Sequence, residues 1–307
     1  MGGPVSLVKA KSPDEIEGAI SRALDLISFS PKRSVKTVVI KPNLCFYWGP
    51  STGYTTDPAV VSGLINILRR RYGVDLEIKV AEADATAMRT NHAFQMLGYN
   101  KLAKESGVEL INLSESALEE REVTIGNNDL SFLIPKLLLD VDILINVPKL
   151  KIMRETTITC AFKNLFGAIG YRRKIEYHSK LEEAIVGITK VLNPDLTLVD
   201  GLVGLGRLPV KLNLLMASKD SFSIDWVAAK VMGYNPKKIE YLRIAMKEMI
   251  GNPNGITILG NDIEPFRESF PGADSAISKL KWSLLLNLLK LYNKLVKDTL
   301  PGELEEA

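Results

Sequence analysis

The sequence predicts an α/β fold: a largely parallel sheet flanked by helices, in two lobes, with a site at the strand carboxyl ends. Three observations predict it. Short β-branched or alternating runs such as "TVVI" and "DLEIKV" take turns along the chain with stretches of helical spacing. That order is expected of parallel strands joined by crossover helices. The strand runs also end in polar residues: Lys41 and Asn43, Asp84, Lys149 and Lys151, Asp200 and Asp220. In open α/β sheets, ligands bind in the crevice outside the strand carboxyl ends.

The elements follow in order. "SPDEIEGAISRALDLI" begins a helix, with Ser12 as cap, Pro13 in the first turn and Glu15 completing a capping box. "TVVI" is a buried strand running into Lys41-Pro42-Asn43. "DPAVVSGLINILRRRYG" has helical spacing and stops at Gly73. "DLEIKVAEAD" alternates as a strand and delivers Asp84; "NHAFQMLGYNKLAKESG" is one helix or two short ones; "VELINLSE" is a strand. Segment 115–136 is more polar, with a hairpin near "IGNNDLSFLI". "VDILINVPKLK" is a strand, "LEEAIVGITKVL" a helix, and "DLTLVDG" and "LNLLMASKD" are strands. "SFSIDWVAAKVMGYNP" is a helix capped by Ser223. The expected division is residues 1–145, residues 146–270, and an amphipathic C-terminal helix and tail over 271–307.

Composition narrows the function. The chain has 307 residues, 46% hydrophobic and 24% charged, in the range of ordinary soluble globular proteins. A net charge of +3 is too small to point to nucleic acid or acidic membranes. The two cysteines, Cys45 and Cys160, fall short of the four ligands of an iron–sulfur cluster, so none is expected in this chain. The N-terminus lacks a signal-peptide core and no run reaches membrane-span length, so the expected setting is the cytoplasm. The lysine-dotted C-terminal helix leaves a membrane surface or a homodimer open as a partner.

The site candidates are basic and acidic. Lys41, Lys149, Lys151 and Lys163, brought together, form a cationic pocket for a small anion, with Asn43 and Asn164 beside them. Lys163 stands inside the apolar run "TITCAFKNLFGAIG". Such a lysine is either a base or nucleophile with a lowered pKa, or a surface lysine with a buried stem. Asp84, Asp200 and His178 are the proton-transfer or metal candidates. Asp57 serves equally as a helix N-cap, and Asp225 as a helix-dipole partner. "GLVGLG" does not match the dinucleotide fingerprint.

"VVIKPN", "LINVPKLK", "TITCAFKNLFGAIG", His178, "LVDG" and "KDSFSIDWVAAKVMGYNP", in order, resemble domain-of-unknown-function family 362. The resemblance implies an α/β domain of unsettled role, found alone or fused to iron–sulfur modules. This chain departs from the pattern at Met153, where the family usually has histidine, and in "LVGLGRLP", where it has an acidic, glycine-rich segment. A fainter resemblance is to the nickel-dependent lactate racemase family, in which a lysine matching Lys163 anchors the cofactor. The two histidines of this chain are too few for that family's metal and proton chemistry. The expectation is an enzyme-like site with isomerase-like proton transfer, the metal unknown. The alternative is a non-catalytic partner or scaffold in an electron-transfer or cofactor-maturation complex.

Overall fold

The computed structural model describes residues 2–30, 35–85, 88–171 and 174–270. The elements in chain order are β1 (Pro4–Lys9), α1 (Ile16–Leu26), β2 (Thr37–Pro42), α2 (Pro58–Tyr72), β3 (Glu77–Glu82), α3 (Thr90–Met96), α4 (Tyr99–Ser106) and β4 (Glu109–Asn112). Then come β5 (Leu118–Ile125), β6 (Asn128–Pro135), α5 (Lys136–Asp140), β7 (Ile143–Val147), β8 (Lys149–Met153), β9 (Thr157–Thr159) and α6 (Ala161–Phe166). Last are α7 (Leu181–Leu192), β10 (Leu196–Leu205), β11 (Pro209–Ser218), α8 (Ser221–Val231), α9 (Glu240–Lys247), β12 (Thr257–Gly260) and α10 (Glu264–Ser269).

Among the described residues the main sheet has ten strands, in the order β12-β1-β11-β10-β7-β2-β3-β4, with β8 and β9 attached through β10. All pairings along this path are parallel except those made by β11, which runs against both β1 and β10. The predicted α/β class, a largely parallel sheet flanked by helices, is therefore what the chain adopts. Residues 1–270 form one compact unit, and the sheet takes strands from both sides of the expected 145/146 division. The expected C-terminal helix over 271–307 lies outside the described residues.

Both faces of the sheet are covered, which is why its strands read as continuous apolar runs. In β2, Val38 and Ile40 point into one core layer with α1, α2 and α4, while Val39 points into the other with α6, α7 and α8. The hairpin β5–β6 forms a separate two-stranded sheet. Its Phe132 is fully buried and packs where a Cβ on Gly187 of α7 would stand 3.1 Å from its ring.

Local chemistry changes several expected details. "VDILINVPKLK" is two strands, because Pro148 supplies no N–H and the chain passes from β7 to β8 there. β8 then pairs with the outer half of β10, setting Lys149 opposite Asp200 and Lys151 opposite Leu205. α8 is capped by Asp220, whose carboxylate accepts from the N–H groups of Phe222 and Ser223, so Ser223 is not the cap. Ser12 makes no side-chain cap bond; Glu15 accepts instead from the Lys11 N–H. β1 and β12 escape sequence reading because each is short and sits beside loop-like residues.

Gly201 lies where β10 presses on β11: a Cβ there would stand 2.8 Å from the Leu214 carbonyl oxygen. Gly201→Ala is expected to lower the unfolding free energy by about 2 kcal/mol in urea titration with unchanged m. Unchanged stability would contradict this packing.

Candidate functional site

Lys41, next to last in β2, is buried, and its ammonium meets Glu82 of neighbouring β3 at 2.7 Å. Glu82 uses its other oxygen to accept from the Leu44 N–H at 3.1 Å. Lys41 also donates to the Pro42 carbonyl at 3.1 Å and to Asn164 Oδ1 at 3.4 Å. Parallel register places Lys41 beside Asn146 of β7.

Asn164 of α6 is the hub. Its Oδ1 accepts from Asn43 Nδ2 at 2.9 Å, and its Nδ2 donates to Asn146 Oδ1 at 2.7 Å. Asn146 Nδ2 returns to the Ala161 carbonyl at 3.0 Å. Asn43 Oδ1 accepts from Lys151 Nζ at 2.6 Å, and the same ammonium lies 3.1 Å from Cys45 Sγ and 3.2 Å from the Tyr54 carbonyl. One buried network thus ties α6 to β2, β7, β8 and the loop after β2. Buried polar groups stay in place only when so satisfied.

Two further features fix α6. Asp225 of α8 accepts from the Ala161 N–H at 2.6 Å, the Phe162 N–H at 3.1 Å and Tyr241 Oη at 3.0 Å. Gly167, just past α6, lies against the Lys41–Glu82 pair: a Cβ would stand 3.1 Å from Lys41 Nζ.

Lys174 enters from the turn 174–180, buried, with its ammonium on the carbonyls of Gly167 at 2.6 Å and Asp84 at 2.9 Å. Burial lowers its pKa to about 7; Glu82 works against that fall, and Lys41 and Lys163 add to it. Lys163 is partly open to solvent, its ammonium 4.1 Å from the Phe166 ring centre. Among the described residues it has no hydrogen bond or ion pair. Desolvation and then the Lys151 charge lower its pKa to about 8, while Cys45 and Glu155 oppose the fall.

The other expected residues fall in different places. Lys149 and Asp200 form a fully buried pair at 3.1 Å, closed to solvent. Asp200 also accepts from the Asp57 N–H at 2.7 Å and the Leu202 N–H at 3.1 Å. Asp57 caps α2 through Ala59 N at 2.9 Å, and burial raises its pKa, with the Asp200 charge adding to the rise. Asp84 accepts from the Thr90 N–H at 2.9 Å and stands 3.4 Å from Arg89. His178 is exposed on the turn 174–180, and among the described residues no hydrogen bond joins it to this network. The structure therefore brings together Lys41, Asn43, Lys151, Lys163 and Asn164, with Asp84 reached through Lys174. It sets Lys149 with Asp200 in the sheet interior.

Sequence reading passed over Glu82 and Lys174. Glu82 is the first acid of "AEAD", and its place at a strand end was the available signal. Lys174 ends "RRK", a run that reads as solvated charge. Among the described residues, no group of three or more His, Cys, Asp and Glu is placed to hold a metal ion.

Asp225 yields a test of how α6 is anchored. Burial pushes its carboxyl up to about 6, although four donors favour the ionised form. Its folded pKa is raised, so its contribution to stability is full below the ordinary value of 3.8 and is lost as pH rises to about 6. The stability of Asp225→Asn relative to wild type should therefore rise by about 3 kcal/mol between roughly pH 4 and pH 7. A difference that does not vary with pH in urea titrations would contradict this.

The family model described as "Domain of unknown function (DUF362)" matches residues 38–230, more than half of the chain. The chain is similar to the thylakoid-associated protein sll1697 of Synechocystis sp. (strain ATCC 27184 / PCC 6803 / Kazusa), with 27% identity over 231 residues, 70% of this chain and 68% of that protein. Among solved structures it is similar to the lactate racemase apoprotein from Thermoanaerobacterium thermosaccharolyticum, with TM-score 0.44 and 14% identity. That likeness covers 76% of this chain but 57% of the racemase chain, and is too slight to bear on function.

Proposed function

We propose that this chain, which belongs to the DUF362 family, binds a small anionic metabolite at the lysine cluster beside α6 and supports proton-transfer chemistry there. One observation carries the reading. Lys41 and Lys149 are matched by Glu82 and Asp200, whereas among the described residues Lys151, Lys163 and Lys174 have no carboxylate within ion-pair distance. Positive charge held out of water without a counter-charge is costly, and a bound carboxylate or phosphate relieves it.

The roles follow from access. Lys41, Lys151 and Lys174 are buried and held by fixed oxygens, so they shape the field and the floor. Lys163 is partly open and has no fixed partner among the described residues, so it is the amine that meets the ligand. With a pKa of about 8, it takes up or releases a proton near neutral pH. Asn43 and Asn164 hold the lysines in register.

A second reading has its own support. Phe46 and Trp48 are exposed and stacked at 5.0 Å, with Tyr54 edge-on to both, on the loop that carries Cys45. Such a patch suits a partner surface, and the Synechocystis relative is named as thylakoid-associated. In that reading the chain is a non-catalytic member of an electron-transfer or maturation complex. No helix among the described residues is long and apolar enough to cross a membrane.

The test is thermal stability and calorimetric titration with oxalate, inorganic phosphate and sodium chloride. Saturable binding of oxalate or phosphate is expected, with Lys163→Ala weakening it about 10- to 100-fold, the scale of a hydrogen bond to a charged group. Absence of saturable binding, or equal binding by the variant, would remove the reading. Trp48→Ala should leave anion affinity unchanged and weaken only a partner contact.

A further inference from the structure

Lys163 differs from the four buried lysines in two respects. Lys41, Lys149, Lys151 and Lys174 are each 7% exposed or less and lie against fixed oxygens. Lys163 is more open, and its ammonium rests on the Phe166 ring; among the described residues neither a hydrogen bond nor a carboxylate holds it. An amine nucleophile needs a free lone pair, an open approach and surroundings that disfavour its protonated form; an apolar wall with cationic neighbours supplies the last. The Phe166 ring face, 4.1 Å away, attracts the ammonium, but desolvation and the buried ammonium groups of Lys151, Lys41 and Lys174 disfavour it. Cys45 and Glu155 face the same amine and act in the opposite sense.

We propose that Lys163 Nζ forms a Schiff base with the carbonyl carbon of a carboxylate-bearing substrate, so that the substrate class is a 2-oxo acid or a closely related carbonyl acid. The proposal rests on reading the lysine cluster as an anion site and adds the covalent step and the carbonyl. In that step the Lys163 nitrogen lone pair attacks the carbonyl carbon, and the π pair moves to oxygen. A proton passes from nitrogen to that oxygen, giving a neutral carbinolamine. With one further proton the hydroxyl leaves as water and the nitrogen–carbon double bond forms, protonated as an iminium. No oxidant or reductant is required. The iminium carries the positive charge that Lys163 held as an ammonium, so the surrounding field still favours the substrate carboxylate. It also draws electrons from the adjacent carbon, which is where isomerase-like proton transfer acts.

The test uses the full chain with glyoxylate, pyruvate and 2-oxoglutarate, each trapped with borohydride and located by peptide mass mapping. Exposed Lys101 serves as the internal comparator. The expected result is saturable trapping at Lys163, about tenfold or more faster than at Lys101, as a desolvated amine allows. Lys163→Arg should lose that adduct, and oxalate, which offers no ketone or aldehyde, reports the anion site separately on the wild-type chain. Mapping on the wild-type chain keeps the test valid even if the variant folds poorly. Oxalate binding with no adduct at Lys163 from any of the three acids, or labelling spread over lysines by exposure, overturns the Schiff base and leaves the anion site standing. Failure of both oxalate binding and trapping overturns both.

Discussion

A lysine ammonium taken out of water needs a carboxylate or a set of oxygens held in place, and this fold gathers such groups along a few adjacent strands. The oxygens are carboxylates, backbone carbonyls and the carboxamides of Asn43 and Asn164, and Asn164 links the most elements. Asn164 accepts from Lys41 and Asn43 and donates to Asn146. Asn43 in turn accepts from Lys151. If the Asn164 carboxamide were removed, buried donors and acceptors on β2, β7 and the loop after β2 would lose partners together. The short helix that carries Asn164 is held by Asp225, so a carboxylate on α8 governs where lysines on other elements sit.

Within this frame the lysines divide. Lys149 with Asp200, and Lys41 with Glu82, are ion pairs inside the sheet. Removing one partner of such a pair costs about 3–5 kcal/mol because the other is left uncompensated. Their task is structural and electrostatic. Lys151 and Lys174 are held by neutral oxygens, which satisfy donors without cancelling charge. Lys163 completes the set: among the described residues it has neither a hydrogen bond nor an ion pair. The function proposed above is the chemistry such an unequal set allows.

Much of this was legible in the chain, and the gaps have physical causes. "VVIKPN" announces a strand that runs into a lysine, "VPKLK" places two more lysines just after a strand, and "AFKNLFGAIG" sets a lysine and an asparagine inside an apolar run. The parallel order followed from alternating element types. Which lysines would pair was not legible, because ion pairs such as Lys41–Glu82 depend on register between strands 40 residues apart in the chain. Lys174 was hidden by its arginine neighbours, since a basic run gives no sign that one member turns inward. Asp225 looked like a residue serving its own helix; only packing of α8 on α6 shows that it serves another. His178 had a promising position in the chain and an exposed one in space.

The proposal stands on Lys163 carrying a desolvated charge that no described carboxylate pairs within ion-pair distance and that an anion satisfies. The most direct measurement is an NMR titration of the lysine side chains in the full protein, with Lys163 assigned through Lys163→Arg, without and with saturating oxalate. Lys163 is expected to titrate near pH 8 in the free protein and to move up towards the ordinary lysine range of about 10.4 when oxalate is bound. A Lys163 that titrates in the ordinary range in the free protein and does not respond to oxalate would contradict it.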